Sequence, residues 1–76
     1  MELSPEILDT TLRVYLQQIR ERLDEAAGIG KAAEACADAG QIEKGIEVVL
    51  DVEQLLYEVN TFLNAASLIN RLSKEG

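Results

Sequence analysis

The sequence predicts an all-α fold: a long antiparallel helical hairpin that dimerises into a four-helix bundle. Residues 41–72 carry one apolar repeat, with no Gly after Gly45 and no Pro. Residues 5–38 carry a second apolar repeat, and turn-forming residues separate the two near the middle of the chain. The two helices are expected to span about residues 5–38 and 41–73 of a single domain, 1–76.

The first helix is predicted to begin at Pro5. The Ser4 hydroxyl can cap the helix, and Pro suits the first helical position because its missing amide hydrogen has no partner there. Apolar residues then recur at steps of three and four, which is typical of the buried stripe of an amphipathic helix. The predicted stripe is Leu8, Leu12, Leu16, Ile19, Leu23 and Ala26, with Tyr15 on its flank.

The path of the chain at Gly28 and Gly30 is open to two interpretations. Each interior Gly costs a helix about 1 kcal/mol relative to Ala, which favours a break. However, Gly30, Ala33 and Ala37 continue the stripe in the same phase, and a loop has no reason to preserve that phase. We favour a continuous helix, and the alternative is a three-helix chain broken at Gly28 and Gly30.

The second helix is predicted to follow a turn at Gly40, which suits a left-handed residue at a helix end. Its apolar residues form three columns that cover an arc about 100° wide, so we expect one unbroken amphipathic helix. The columns are Val48, Leu55, Phe62 and Ile69; Val49, Leu56 and Leu63; and Val52, Val59 and Ala66.

Residues 33–47 resemble the turn region of a tetratricopeptide repeat. Ala33 and Gly45 stand where that repeat places its two small packing residues. The similarity covers part of one unit, Tyr57 stands where the repeat has its closing Pro, and no second copy follows. The resemblance therefore implies αα-hairpin geometry, and not membership of a repeat family. In a hairpin that turns at residues 39–40, Gly45 is expected to meet Glu34 and Ala33.

Composition narrows the classes of function. The chain has one Cys, no His and a net charge of −7 from 14 acidic and 7 basic residues. An intrachain disulfide is excluded, and we expect no metal and no other cofactor. The acidic balance argues against broad binding to nucleic acids or anionic membranes. The sequence shows no signal peptide and no membrane-spanning apolar run, so we expect a cytoplasmic protein.

Catalytic chemistry has little support in this sequence. Without His, Cys36 is the only candidate nucleophile with a neighbouring base, and its Ala-rich surroundings indicate a small core residue. The acidic residues Glu43, Glu47, Asp51 and Glu58 lie largely off the apolar arc, as expected of a solvated face. We therefore expect no enzyme and no catalytic residue.

Apolar residues outside the two stripes predict an interface. Leu50, Tyr57 and Leu68 lie opposite the main stripe of the second helix, and Ile7 and Val14 are displaced on the first. A lone hairpin cannot bury them, so we expect a second copy or another protein to cover this region. The predicted interface residues are Ile7, Val14, Leu50, Tyr57, Phe62 and Leu68.

These features favour a small non-enzymatic protein–protein interaction module, an adaptor or regulatory subunit, that acts as a homo-oligomer and most simply as a dimer. The alternative is a helical-hairpin dimer that binds RNA or DNA through a basic strip on the first helix. That strip is Arg13, Gln17, Arg20 and Lys31. We favour the interaction module because acidic residues interleave with the strip and no aromatic side chain lies beside it for stacking.

Overall fold

The computed structural model describes residues 4–75 and is entirely helical apart from short turns. It contains α1 (Pro5–Asp38), α2 (Ile42–Val49) and α3 (Val52–Glu75). Helix α1 forms one arm of an antiparallel hairpin and packs against both other helices. Helices α2 and α3 together form the second arm, which is bent where they meet. The predicted all-α hairpin with two long arms is confirmed.

Helix α1 begins and continues as its local sequence predicts. The Ile7 amide donates to the Ser4 hydroxyl oxygen at 3.2 Å, and Pro5 occupies the first helical position. The helix then runs through Gly28 and Gly30 without interruption, so the three-helix alternative with a break at these residues is wrong. The surrounding Ala-rich sequence and the contact with the second arm outweigh the glycine propensity cost of about 2 kcal/mol for the two residues.

The turn between the arms is a Schellman motif centred on Gly40. Its φ of +85° is the left-handed conformation that only Gly adopts without strain. The Gly40 amide donates to the Ala37 carbonyl at 2.9 Å, and the Gln41 amide donates to the Cys36 carbonyl at 2.8 Å. These two bonds satisfy carbonyls that the helix end would otherwise leave without partners.

The second arm differs from the prediction because it bends at Leu50 and Asp51. There the Asp51 amide donates to the Val48 carbonyl, three residues back instead of four. The bend separates two ways of packing against α1. Before it, Gly45 brings the two backbones together; after it, bulky Leu55 lies between the helices. The apolar repeat has no Gly or Pro at the bend and therefore does not signal it.

The seam between the arms repeats about every 3.5 residues, as in a two-stranded coiled coil. On the second arm it uses only the first and third predicted columns, together with Gly45. On α1 its phase differs from the prediction, because Leu16 and Leu23 are exposed and their neighbours Tyr15 and Arg22 turn inward. The seam of α1 is Leu8, Leu12, Tyr15, Ile19, Arg22, Ala26, Ile29, Ala33 and Cys36.

The single hairpin is too thin to enclose a core. It measures 57 × 15 × 14 Å, and its radius of gyration is 17.3 Å, whereas a compact chain of this length has about 11 Å. Within residues 4–74 only Ala33, Gly45 and Ala66 are buried. No large side chain in this part of the chain is fully enclosed. Much of the apolar surface therefore faces outward.

Candidate interaction surface

One side of the hairpin carries a polar cluster centred on Arg22. The Arg22 Nε donates to Glu58 Oε1 at 2.8 Å, and its Nη1 donates to Gln18 Oε1 at 2.6 Å. Gln54 donates to the second Glu58 oxygen at 3.0 Å. These hydrogen bonds, first that of Gln54 and then that of Arg22, lower the pKa of the Glu58 carboxyl. We call this side the back face.

The Arg22 cluster also connects to the seam. The guanidinium lies 4.7 Å from the centre of the Phe62 ring, and Phe62 in turn packs against Tyr15 at 5.7 Å between ring centres. The cation over the ring and the tilted ring pair are both favourable geometries. This cluster joins the two arms near the middle of their length, and its polar groups are hydrogen-bonded to one another.

The opposite side carries a continuous set of exposed apolar residues. Their exposed fractions lie between 39% and 65%, which is high for branched aliphatic side chains in a folded domain. Ile46, 57% exposed, lies beside them. We call this surface the front face and define it by Leu16, Leu23, Ile42, Val49, Leu56 and Leu63.

The two arms contribute to the same front face because of their antiparallel packing. Leu16 and Leu23 directly follow the inward residues Tyr15 and Arg22 of α1. Leu56 directly follows the inward Leu55 in the same way, and Val49 and Leu63 have equivalent positions. A two-fold rotation relates two antiparallel helices. Residues that follow a seam residue by one position, on either arm, therefore lie on the same side of the hairpin.

Residues that precede a seam residue by one position lie on the back face. Gln18 and Glu58 each directly precede an inward residue, Ile19 and Val59. Their shared hydrogen bonds to Arg22 place them together, on the side away from Leu16 and Leu56. Around Arg22 the hairpin therefore has one flank whose polar groups are hydrogen-bonded to one another and one flank whose apolar groups are exposed.

The residues predicted as an interface do not form one surface. Phe62 lies in the seam. Ile7, Val14 and Leu68 are about half exposed and lie toward the back face near the open end of the hairpin. Leu50 and Tyr57 lie on the outer side of the second arm, where they line a shallow depression with Asp51, Glu53 and Gln54. Tyr57 is 70% exposed.

The predicted basic strip is paired with acids on its own helix. Arg13 Nε lies 2.8 Å from Asp9, and Arg20 Nη1 lies 2.9 Å from Asp24. The hydrogen bond and the charge of Asp9 raise the pKa of Arg13. Gln17 donates to Glu21 at 3.1 Å, and Lys31 is exposed. A phosphate backbone would have to displace these carboxylates, which weakens the case for nucleic-acid binding.

Sequence reasoning assigned the front-face residues to the hairpin's own core. One feature of the sequence could have placed them on the surface. The apolar arc of the second arm is about 100° wide, whereas packing against a single antiparallel helix needs only the two columns of a coiled-coil seam. The column of Val49, Leu56 and Leu63 is the one that the seam with α1 does not use. An arc with three columns indicates two neighbours, one on each side of its middle column.

Other kinds of site find no support in the part of the chain that the structure describes. No group of three His, Cys, Asp or Glu side chains comes together there as a metal site requires. Cys36 is half-buried in the seam near the turn. No helix among these residues is both long and apolar enough to cross a membrane.

Comparisons with known protein families, with curated proteins and with solved structures found no match for this chain. The front face is therefore the feature from which a function can be argued.

Proposed function

We propose that this chain is a non-enzymatic protein–protein interaction module, an adaptor or regulatory subunit, that acts as a homodimer. In this proposal two hairpins pack by their front faces into a four-helix bundle. The observation that carries it is the apolar front face, which extends along both arms of a hairpin whose residues 4–74 enclose no large side chain.

The area of the front face supports a stable dimer. The hairpin is 57 Å long and 15 Å wide. One whole flank, of which the apolar front face is part, therefore offers on the order of 800 Å² in projection, and each partner contributes about this area to an interface of standard size. Burying half-exposed leucines and valines would contribute about 25 cal/mol per Å² of apolar area. A helical hairpin has few other ways to gain that stability.

The apolar residues left outside the front face support the adaptor role. Ile7, Val14 and Leu68, with Leu50 and Tyr57 on the outer side, stay accessible when two front faces meet. A dimer would thus present two copies of each of these smaller surfaces. That is the arrangement expected of a module that brings other proteins together.

The test is the mass of the protein in solution, with matched variants of the two flanks. Leu23→Gln with Leu56→Gln removes apolar groups from the front face. Ile7→Gln with Val14→Gln removes two of similar exposure, 52% and 46%, from the other side. We expect sedimentation equilibrium to show a micromolar or tighter dimer for the native chain, weakened at least about a hundredfold in the front-face variant.

The control variant is expected to retain its dimer affinity within about threefold. A native chain that is monomeric and fully helical at micromolar concentration contradicts the proposal. A dimer lost in the control variant and kept in the front-face variant would move the interface to the residues around Ile7 and Val14.

A further inference from the structure

We infer that the second copy docks on the front face with its turn at the opposite end of the bundle, so that Leu23 lies close to the two-fold axis. This inference rests on the proposed homodimer and specifies its polarity and register. Two front faces can meet in only two ways: with both turns at one end, or with the turns at opposite ends. Charge and side-chain volume distinguish them.

Side-chain volume is unevenly distributed along the hairpin. Near the turn, the seam and the front face contain small residues: Gly45 touches the Ala33 backbone, and Gly30 and Ala37 occupy the front-face column of α1. Toward the open end the same positions hold Leu16 and, on the other arm, Leu63. The hairpin therefore tapers toward its turn.

Opposite polarity evens out this taper. With Leu23 at the axis, Leu16 of one copy meets the level of Gly30 in the other, and Leu63 meets the level of Val49. The two layers that flank the axis then each combine large and small side chains, which evens out the separation of the two hairpins. With both turns at one end, the layer of Leu16 and Leu63 would contain four leucines, and the layer of Gly30 and Val49 two glycines and two valines.

Charge favours the same polarity. The edge of α1 beside the front face carries Arg13, Arg20, Ala27 and Glu34 at seven-residue steps. Opposite polarity in this register brings Arg13 of each copy, which also pairs with Asp9 of its own helix, to Glu34 of the other. A slip by one heptad that moves the axis toward Arg20 would bring this residue against its own copy, which is repulsive, and a slip the other way would separate Arg13 from Glu34. With the turns together, Arg13 and Glu34 of the two copies would lie about 30 Å apart along the helices.

The ends of the hairpin differ in net charge as well. Residues 31–49, around the turn, contain four acids and two lysines, a net of −2. The open end, residues 4–20 and 60–75, contains four basic residues and three acids, a net of +1. Opposite polarity pairs the acidic end with the basic end, whereas parallel polarity places two acidic ends together.

The decisive experiment measures the distance between the two turns. A nitroxide label on Gln41→Cys, in a Cys36→Ala background, reports this distance by pulsed electron–electron double resonance. The hairpin is 57 Å long, so opposite polarity predicts a separation of roughly 50 Å, and turns at one end predict less than about 25 Å. A label on Asp24→Cys at mid-length is the control, because it lies near its copy in both arrangements.

A charge-reversal cycle tests the register. Arg13→Glu and Glu34→Arg are each expected to weaken the dimer about threefold to tenfold, and the double variant to restore it. Arg20→Glu combined with Glu34→Arg is the matched control and is expected to give no restoration. Circular dichroism confirms that each variant remains helical.

The outcomes are separable. A short distance between turns in a stable dimer overturns the polarity and leaves the proposed function intact. A long distance with no restoration by the double variant overturns the register. A monomer without dipolar coupling in either labelled protein overturns both the polarity and the proposed function.

Discussion

Glycines in this hairpin occupy helical positions with opposite requirements. At Gly45 an added Cβ would lie 2.8 Å from the Ala33 carbonyl oxygen, closer than real Cβ atoms come to backbone. At Gly28 nothing lies within 4 Å of that position. Gly45 is therefore needed for the approach of α2 to α1, whereas Gly28 only lowers the helix propensity of an exposed site.

Replacing each glycine by Ala should therefore change stability in opposite directions. We expect Gly28→Ala to raise the free energy of unfolding by about 0.5–1 kcal/mol, the propensity difference between the two residues. Gly45→Ala should lower it by about 1–3 kcal/mol, because the two backbones must separate. Urea unfolding at one protein concentration measures both. Equal gains in the two variants would show that α2 does not approach α1 at Gly45.

The Glu58 carboxylate links stability to pH. Hydrogen bonds from Gln54 and Arg22 lower its pKa in the folded chain. A carboxyl whose pKa is lower when folded stabilises the fold above its unfolded pKa, and this contribution disappears as protons bind. The contribution is therefore present at neutral pH and is lost as the pH falls from about 5 to about 3.

Glu58→Gln provides the matched comparison, because the amide keeps the shape of the side chain and does not titrate. We expect the variant to be less stable than the native chain at pH 7, with the difference shrinking toward pH 3. Unfolding curves across this range measure that difference. A constant gap at all pH values would mean that the charge of Glu58 contributes nothing to stability.

At the scale of the helices, adjacent leucines of α3 are expected to behave differently. Leu55 faces α1, whereas Leu56 lies on the front face and is 49% exposed. Leu55→Ala should cost each hairpin about 2 kcal/mol or more at any protein concentration, as core truncations do. The loss from Leu56→Ala should be expressed mainly as weaker dimerisation. Unfolding measured at low and high protein concentration distinguishes the two. Identical concentration dependence in both variants would contradict the assignment of faces.

The whole molecule gains its stability from association if the proposed dimer forms. Unfolding then also dissociates two chains, so the midpoint temperature should rise with protein concentration by mass action. We expect this rise in the native chain and in Ile7→Gln with Val14→Gln, and a much smaller one in Leu23→Gln with Leu56→Gln. Calorimetry over a hundredfold range of concentration measures it. A midpoint independent of concentration in the native chain would indicate a stable monomer.

Several elements were predictable because they depend on neighbours along the chain. Ser4 caps α1, Gly40 ends it in the left-handed conformation, and the small pair Ala33 and Gly45 meets near the turn. Helical periodicity likewise identified both arms. The bend at Leu50 and Asp51 was not predictable, because no Gly or Pro stands there to signal it.

The sequence by itself determined that two amphipathic arms fold back on each other, since apolar periodicity, caps and turn residues act within a few residues. It also determined the width of the apolar arc of the second arm, about 100°. Only the tertiary structure decided which columns of that arc meet α1. Close contact at Ala33 and Gly45 and the Arg22 cluster set the rotation of the arms, and this turned Leu16, Leu23 and Leu56 outward. A rotation about the helix axis leaves periodicity unchanged, so the sequence pattern alone could not reveal it.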